Sequence, residues 1–150
     1  MSEPTKAEAG RDPRKEPKPR PAPVPEQEAA QYWAAALEGK LLVQRCTACN
    51  HHQLYPRVHC LVCRSPVEWI ESAGTGTVYS RTIIRQNMSR SFRHLLPYVV
   101  ALVDLDEGPR LMTNIVNVPA DDVQIGDRVR VRFEPVSDQA ALPLFEPDLR

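Results

Sequence analysis

Four cysteines in two Cys-x-x-Cys pairs are the residues whose types and spacing point most directly to chemistry. Cys46, Cys49, Cys60 and Cys63 form the pattern C-x2-C-x10-C-x2-C. Two residues between thiols let one tight turn present both sulfurs to an ion, and two such turns complete the tetrahedron that Zn²⁺ accepts. The pattern predicts one structural zinc ion per chain. An iron or iron–sulfur centre and a redox dithiol pair are the alternatives.

Four cysteine ligands would close the site, which limits what the metal can do. No position remains for water or substrate, so the ion stabilises the fold and does not act as a Lewis acid. His51, His52 and His59 lie between the pairs and are competing ligands. Because any of them would have to displace a cysteine, we interpret them as exposed histidines or as neighbours of the ligands.

The other residues form no recognisable catalytic set. The chain contains no glycine-rich phosphate loop and no HExxH helix, and its acidic residues fall mainly in predicted turns. The net charge is zero overall, and the body from residue 26 onward carries thirteen basic and fifteen acidic residues. A mildly acidic body weighs against nucleic-acid binding. We therefore do not expect an enzyme in its own right.

One loop, residues 85–96 (RQNMSRSFRHLL), mixes basic and apolar side chains. It is longer than a hairpin requires, and such loops are often functional. Arginines beside an aromatic ring suit a nucleotide phosphate joined to an apolar chain, while a partner surface and a solvated loop are the alternatives. The candidate contact residues of this loop are Arg85, Arg90, Phe92, Arg93 and His94.

The first 25 residues differ from the rest in composition. They hold seven of the fifteen prolines and ten charged residues, which predicts a disordered, partly extended tail. It is interpreted either as a floppy terminus or as a linker to a second domain. The chain has neither a signal peptide nor an apolar run near the ~20 residues of a membrane span, so we expect a cytoplasmic protein with reduced thiols.

The elements that would position the cysteines and the loop are mostly strands. Residues 26–40 predict an amphipathic helix of three to four turns that ends at Gly39. Its aromatic face, with Tyr32, Trp33 and Leu37, docks either on its own domain or on a partner. Strands are predicted at Leu41–Cys46, Val67–Glu71, Thr75–Arg85, Tyr98–Leu105, Arg110–Val118 and Arg128–Phe133.

These patterns predict a mainly β fold. Residues 41–72 form a four-cysteine zinc ribbon with rubredoxin-like knuckles, and residues 73–150 form a small antiparallel OB-fold barrel. Gly74 and Gly76 would ease a bend in the first barrel strand.

The order of these segments resembles the DUF35 family, zinc-ribbon plus OB-fold proteins that accompany acyl-CoA enzymes. The resemblance covers residues 26–147. It is carried by the two knuckles joined through Tyr55-Pro56-Arg57, by the stretch GTGTVYS at 74–80, and by LDEG at 105–108. Asn50 departs from the glycine that commonly closes the first knuckle, but asparagine also tolerates the left-handed conformation.

The resemblance implies a non-catalytic accessory subunit. Family members partner thiolase-fold enzymes in hetero-oligomers, α2β2 or larger, that transfer acyl groups, condense acyl-CoAs or cleave C–C bonds by retro-aldol chemistry, as in steroid side-chain degradation. The barrel would help hold or channel the acyl-CoA thioester, with Tyr55 and Arg57 joining the loop residues as contacts, while the helix would dock on the partner. It also implies that the tail is a linker to a MaoC-like hydratase domain.

Two other functions stay open from the sequence. A zinc ribbon beside an OB barrel is also compatible with a module that binds single-stranded nucleic acid. A stand-alone redox enzyme would use the paired cysteines directly, and stoichiometric zinc without free thiols would argue against it.

Overall fold

The computed structural model describes residues 16–149. Residues 1–15, most of the predicted tail, and residue 150 lie outside the described residues. A single 3-10 turn, Gln27–Ala29, leads into helix α1, Ala30–Leu37. The eight strands are β1 Leu42–Cys46, β2 His52–Gln53, β3 Val67–Glu71, β4 Thr75–Ile84, β5 Tyr98–Leu105, β6 Arg110–Ile115, β7 Arg128–Pro135 and β8 Ala141–Pro147.

The helix is shorter than its sequence pattern predicts. Its first turn is the tighter 3-10 form, and neither start has a capping side chain, so the regular helix covers about two turns. Its end matches the prediction. Gly39 adopts φ +79°, its amide donates to Ala36 and the Lys40 amide donates to Ala35, which is the glycine-terminated arrangement that satisfies the last carbonyls. Within residues 16–149 no helix is both long and apolar enough to cross a membrane.

The ribbon is a three-stranded antiparallel sheet with β1 in the centre, flanked by β2 and β3. The two-residue strand β2 was not predicted, because it falls among the histidines of the knuckle segment. Leu41 and Val43 are buried beneath this sheet. Gln44 and Gln53, a pair of buried polar residues, face each other across β1 and β2, with their side-chain amides 2.9 Å apart.

The five remaining strands form a closed barrel in the order β4-β5-β6-β8-β7. In β5, half-buried residues alternate with buried ones, which is the period-two pattern of a strand with one face in the core. Gly76 lies where β4 passes closest to β5, because a Cβ there would stand 2.5 Å from the carbonyl oxygen of Asp104. Close backbone approach therefore requires this glycine.

Strand β8, which the sequence analysis did not assign, closes the barrel. It pairs antiparallel with β7 and parallel with β6 through Ile115 and Phe145, so the barrel is not antiparallel throughout. The two prolines in this strand, Pro143 and Pro147, hide its signal, since proline weakens a strand prediction. Strand β6 ends three residues earlier than predicted, and Asn117 then turns the chain at φ +60°.

Helix, ribbon and barrel share one hydrophobic core. Tyr32 of α1 is 8% exposed and belongs to the same buried cluster as Val43 of the ribbon and Phe145 of the barrel. The helix therefore docks on its own chain through Tyr32, while Leu37 on its other side stays exposed. The face with Tyr32 packs on the protein's own core, whereas the exposed Leu37 stays a candidate for docking on a partner.

The hairpin turn after β5 ties the ribbon to the barrel. The carboxylate of Glu107 accepts hydrogen bonds from the Ser72 hydroxyl at 2.9 Å and from the Ala73 amide at 2.6 Å. The Gly74 amide in turn donates to Ser72 Oγ at 3.0 Å. These bonds fix the connection between β3 and β4, and they give a structural role to the LDEG segment.

Candidate functional site

The four cysteines converge as the spacing predicts. Their sulfurs all lie within 4.8 Å of one another, with Cys46 Sγ 3.4 Å from Cys63 Sγ and Cys49 Sγ 3.7 Å from Cys60 Sγ. Zn–S bonds of about 2.3 Å in a tetrahedron would place sulfurs about 3.8 Å apart. The group therefore fits a tetrahedral metal ion, and it could hold one with all four positions filled by protein.

The two knuckles supply amide donors to the sulfurs. The Cys49 amide lies 3.4 Å from Cys46 Sγ, and the Val62 amide lies 3.4 Å from Cys60 Sγ. Each knuckle closes on a residue with positive φ, Asn50 at +61° and Arg64 at +65°. Asn50 thus adopts the left-handed conformation expected of a glycine substitute.

The thiols differ in how readily they ionise. Hydrogen bonds from the side chain and the backbone of Ser65 lower the pKa of Cys63 to about 6, and backbone hydrogen bonding at Cys63 lowers the pKa of Cys60. The backbone of His51 lowers the pKa of Cys49, but the thiol of Cys63 and burial outweigh it and raise that pKa to about 12. Metal binding therefore has to displace the proton that Cys49 retains near neutral pH.

The histidines of the segment stay outside the cluster. Among residues 16–149, the only close grouping of three or more potential metal ligands contains the four cysteines. His52 pairs with Arg45 in the β1–β2 ladder, and His59 forms an isolated bridge with Pro66. No imidazole nitrogen belongs to the grouping of ligand atoms in the described residues, so the thiols are the candidate ligands.

Beside the ribbon lies an apolar cavity of about 410 Å³, which we call the junction cleft. It is formed where the helix, the ribbon and the barrel meet. Its lining residues are Ala29, Tyr32, Trp33, Leu54, Tyr55, Pro56, Leu111, Met112, Thr113, Asn114, Leu142, Pro143 and Leu144. The structure therefore brings together the predicted docking residues Tyr32 and Trp33 and the predicted contact residue Tyr55, but not Leu37.

Two aromatic rings of the helix form one wall of the cleft. The rings of Tyr32 and Trp33 meet edge to face with centroids 5.1 Å apart. Burial, and then the proximity of Tyr55, raises the pKa of Tyr32 to about 12, so its phenol stays neutral near pH 7. The cleft is thus suited to an apolar group. Leu142 and Pro143 of β8 complete it, and sequence reasoning missed them together with that strand.

The loop carrying the predicted basic contacts lies apart from the junction cleft. Arg90, Arg93 and His94 line a small separate cavity of about 90 Å³ with Pro17. The Arg90 guanidinium donates to the carbonyl of Glu16 at 3.0 Å, so the described end of the proline-rich segment crosses this loop. Residues 17–26 there form no helix or strand.

The other loop side chains are engaged as well. Arg85 forms an ion pair with Asp121, and Arg93 donates to the carbonyl of Met88 at 2.9 Å. The ring of Phe92 packs on Tyr98 with centroids 6.4 Å apart. The predicted contact residues therefore form two groups, one on this loop and one at the ribbon.

Arg57 belongs to the ribbon group and lines a second cavity of about 390 Å³, which we call the basic cleft. The cleft lies against the second knuckle. Its lining residues are Glu28, Arg57, Val58, His59, Cys60, Leu61 and Arg64. From the sequence, Arg64 was not among the candidate contact residues and His59 was interpreted as an exposed histidine or a neighbour of the ligands. The two arginines on either side of the second knuckle were the signal that could have found this cleft.

Comparison with known proteins agrees with this architecture. Residues 33–68 match the family described as "ChsH2, rubredoxin-like zinc ribbon domain", and residues 69–134 match "ChsH2, C-terminal OB-fold domain". The solved structure titled "Ltp2-ChsH2(DUF35) aldolase" is similar with a TM-score of 0.75 and 36% identity. The alignment covers 84% of this chain and 98% of that one.

Two curated relatives extend the comparison. A "Probable enoyl-CoA hydratase alpha subunit" from Thermomonospora curvata is 38% identical over 120 residues, which is 79% of this chain but only 37% of the relative. A "DUF35 domain-containing scaffold protein" from Methanothermobacter thermautotrophicus is 32% identical over 63% of this chain and 72% of its own length. With both domains matched and most of that relative covered, the chain belongs to the DUF35 family, in the form with ChsH2-type zinc ribbon and OB-fold domains.

Proposed function

We propose that this protein is a non-catalytic accessory subunit of an enzyme complex that acts on acyl-CoA thioesters. One observation carries the proposal: the chain is similar to a DUF35 scaffold protein and to the solved structure titled "Ltp2-ChsH2(DUF35) aldolase". The closed set of four thiols agrees with it, because such a centre has no open coordination position for substrate.

The proposed ion is Zn²⁺, held by Cys46, Cys49, Cys60 and Cys63. When bound, it would cross-link the two knuckles and so hold the loop that carries Tyr55 and Arg57. The sulfur spacing and the match to a zinc ribbon family support this choice, and elemental analysis of the purified protein tests it directly.

The proposed partner is a thiolase-fold enzyme in a hetero-oligomer, α2β2 or larger, and that enzyme supplies the catalytic residues. The reaction would be acyl transfer, condensation or retro-aldol cleavage, including steroid side-chain degradation. The aldolase title of the similar structure supports the cleavage reaction. A link through the tail to a MaoC-like hydratase is part of this proposal, supported by the likeness to a hydratase subunit.

The proposed docking surface is the ribbon side of the molecule. Four large apolar residues of the ribbon are exposed there, Tyr55, Val58, Leu61 and Val62, and clustered exposed apolar residues are typical of partner interfaces. Leu37, exposed on the helix, remains a separate candidate for docking. Arg85, Arg90, Phe92, Arg93 and His94 remain candidates for a second contact with the partner or its substrate.

Co-expression with a thiolase-fold enzyme, taken first from neighbouring genes, tests the proposal. We expect the two chains to co-purify and the partner's activity on acyl-CoA to rise. Tyr55→Ala should weaken the complex at least tenfold, because this ring is 66% exposed on the proposed surface. Tyr79→Ala, 51% exposed on the barrel, is the matched control and should leave it intact. Failure to co-purify, with partner activity unchanged, would refute the proposal.

A further inference from the structure

We propose that the barrel carries a binding groove for the extended proline-rich segment at residues 16–25, which we call the strap, and that Arg20 anchors the strap in this groove. The chain then follows a fixed route from the loop at residues 85–96 to helix α1. This differs from the disordered tail that the composition predicts. Only one consequence rests on the proposed function: a hydratase domain joined through the tail would be tethered beside this loop rather than at the start of the helix.

The sequence of the strap favours an extended chain before any docking. Proline occupies every second position of EPKPRPAPVP. Each proline fixes its own φ and disfavours the helical conformation of the residue before it. Residues 17–26 form neither helix nor strand. A segment that is already stiff and extended loses little conformational entropy when it binds.

The first part of the strap is hydrogen-bonded to the loop at residues 85–96. The Lys18 amide donates to the Arg90 carbonyl at 3.2 Å, and the Arg90 guanidinium donates to the Glu16 carbonyl at 3.0 Å. Pro17, which lies between the two bonded residues, lines a small cavity against the same loop. On the strap's side both hydrogen bonds use backbone atoms, so they do not depend on the side chain at position 18.

The loop itself is ordered by hydrogen bonds of its own. The Asn87 side chain donates to the Tyr98 hydroxyl at 2.9 Å and accepts from the Ser89 amide at 2.8 Å. The amides of Phe92 and Arg93 donate to the Ser89 carbonyl. The loop therefore offers the strap a preformed surface and does not need the strap to keep its shape.

Arg20 is the anchor because its side chain is buried to an unusual degree for an arginine. The side chain is 14% exposed, and its Nε lies 3.8 Å from Glu134 Oε1 of β7. The arginine side chains of five other ion pairs on the body are 42–60% exposed. A charged side chain is seldom buried this far for a single exposed partner, so we attribute the burial of Arg20 to packing of its stem as well as to charge.

The barrel provides a suitable place for that stem. Arg20 lines a cavity of about 200 Å³ together with Tyr98 of β5, Ile115 of β6 and Val118 in the segment after β6. Apolar side chains of this kind pack well against the methylene groups of an arginine, while the charged end stays near a carboxylate. One side chain of the strap thus lies among residues of three barrel strands.

The alternative is a strap that rests loosely on the barrel and exchanges with free, extended forms. Proline-rich segments that bury little surface remain disordered, and Val24 of the strap is exposed. The two alternatives differ in what Arg20 contributes. Removal of its side chain releases an anchored strap and changes nothing in a strap that is already free.

The test measures backbone order by ¹⁵N relaxation in the full chain loaded with zinc. In the unmodified protein, the amides of Lys18 and Ala22 should have order parameters near the value of about 0.85 that is typical of rigid backbone, and Arg20→Ala should lower them below about 0.6. Lys18→Ala is the matched control, because it removes a positive charge from the same strap but keeps the backbone hydrogen bonds. It should leave the order of Ala22 unchanged, and the loop amide of Ser91 should stay ordered in both variants.

Four results would overturn the proposal. The first is a strap with order parameters below about 0.6 in the unmodified protein. The second is unchanged order of the strap in Arg20→Ala, and the third is an equal loss of order in Lys18→Ala. The fourth is loss of order in the loop of Arg20→Ala, which would mean that loop and strap fold together and that no preformed groove exists. No partner is present in these measurements, so their outcome is independent of the co-purification experiment.

Discussion

The ribbon and the barrel fold on different principles, although they share a core. In the barrel, buried and half-buried residues alternate along β5, and Val99, Ala101, Val103 and Leu105 fill the interior. In the ribbon, the segment between the two cysteine pairs buries only Leu54 among its large apolar residues and exposes Tyr55 and Val58. Burial of apolar surface stabilises the barrel, whereas the proposed metal ion would cross-link the two knuckles that flank this segment. The apolar residues that the segment exposes are then available at the surface.

Loss of the metal should have the largest effect and should separate the two regions. Cys60→Ser removes a buried ligand, and we expect loss of zinc and rapid amide exchange through residues 42–71, because structural zinc contributes on the order of 10 kcal/mol. Amides of β5 should stay protected. Hydrogen exchange measured by mass spectrometry checks this, with the exposed Val62→Ala as the control. Equal loss of protection in the barrel would show that the two regions fold as one unit.

Phe145→Ala should destabilise the barrel by about 3–5 kcal/mol, since this side chain is 0% exposed and its loss leaves a cavity. Zinc content should be unchanged. Urea unfolding gives the free energy of unfolding, and Met112→Ala, 64% exposed, is the control with an expected change below about 0.5 kcal/mol. A variant that loses zinc along with stability would contradict the separation of the two regions.

Gln44→Ala should lower stability by about 1–3 kcal/mol, because it removes the side-chain partner of the Arg57 amide and carbonyl and one hydrogen-bond partner of Gln53. Gln44 is chosen because this part of the ribbon is held by hydrogen bonds of buried glutamine side chains. Thermal unfolding measures the loss. Gln86→Ala, at an exposed position, is the control; an equal effect there would refute a specific role for the buried pair.

Asp106→Asn should have the smallest effect, about 0.5 kcal/mol, because the pair with Arg128 is exposed and screened by solvent. Hydrogen bonds from Arg128 and Thr75 lower the pKa of Asp106 to about 2, below its unfolded value of about 3.9. Its contribution is therefore present above about pH 4 and is lost as the pH falls towards 2. Stability curves of the variant and the unmodified protein should converge in that range; a constant difference would contradict this.

The metal site and the fold class could be predicted because their signals are local. Cysteine spacing alone identifies the four predicted ligands, and strict alternation of polar and apolar residues identifies strand β7. Strand β8 was missed because Pro143 and Pro147 interrupt its pattern, although Phe145 between them is fully buried. The ribbon's β2 was missed because only two of its residues pair.

The two clefts could not be predicted from one sequence, because each is built from distant segments. The junction cleft combines Trp33, Tyr55 and Leu142, which are far apart in the chain. The role of the basic loop stays a prediction, and within the chain Arg85 pairs with Asp121 and Arg93 donates to the Met88 carbonyl. Tertiary structure decides which arginines form ion pairs, because their partners are distant in the chain. The pattern of residues along the sequence does not show these pairs.

The place of β8 in the structure has a consequence for folding and binding together. This strand closes the barrel and also supplies Leu142, Pro143 and Leu144 to the junction cleft, so the cleft is complete only in molecules whose barrel is closed. Any occupant of the cleft must therefore favour the closed barrel over forms in which β8 is detached, by an amount that grows with the occupant's concentration. Binding at the junction cleft therefore stabilises the fully folded protein.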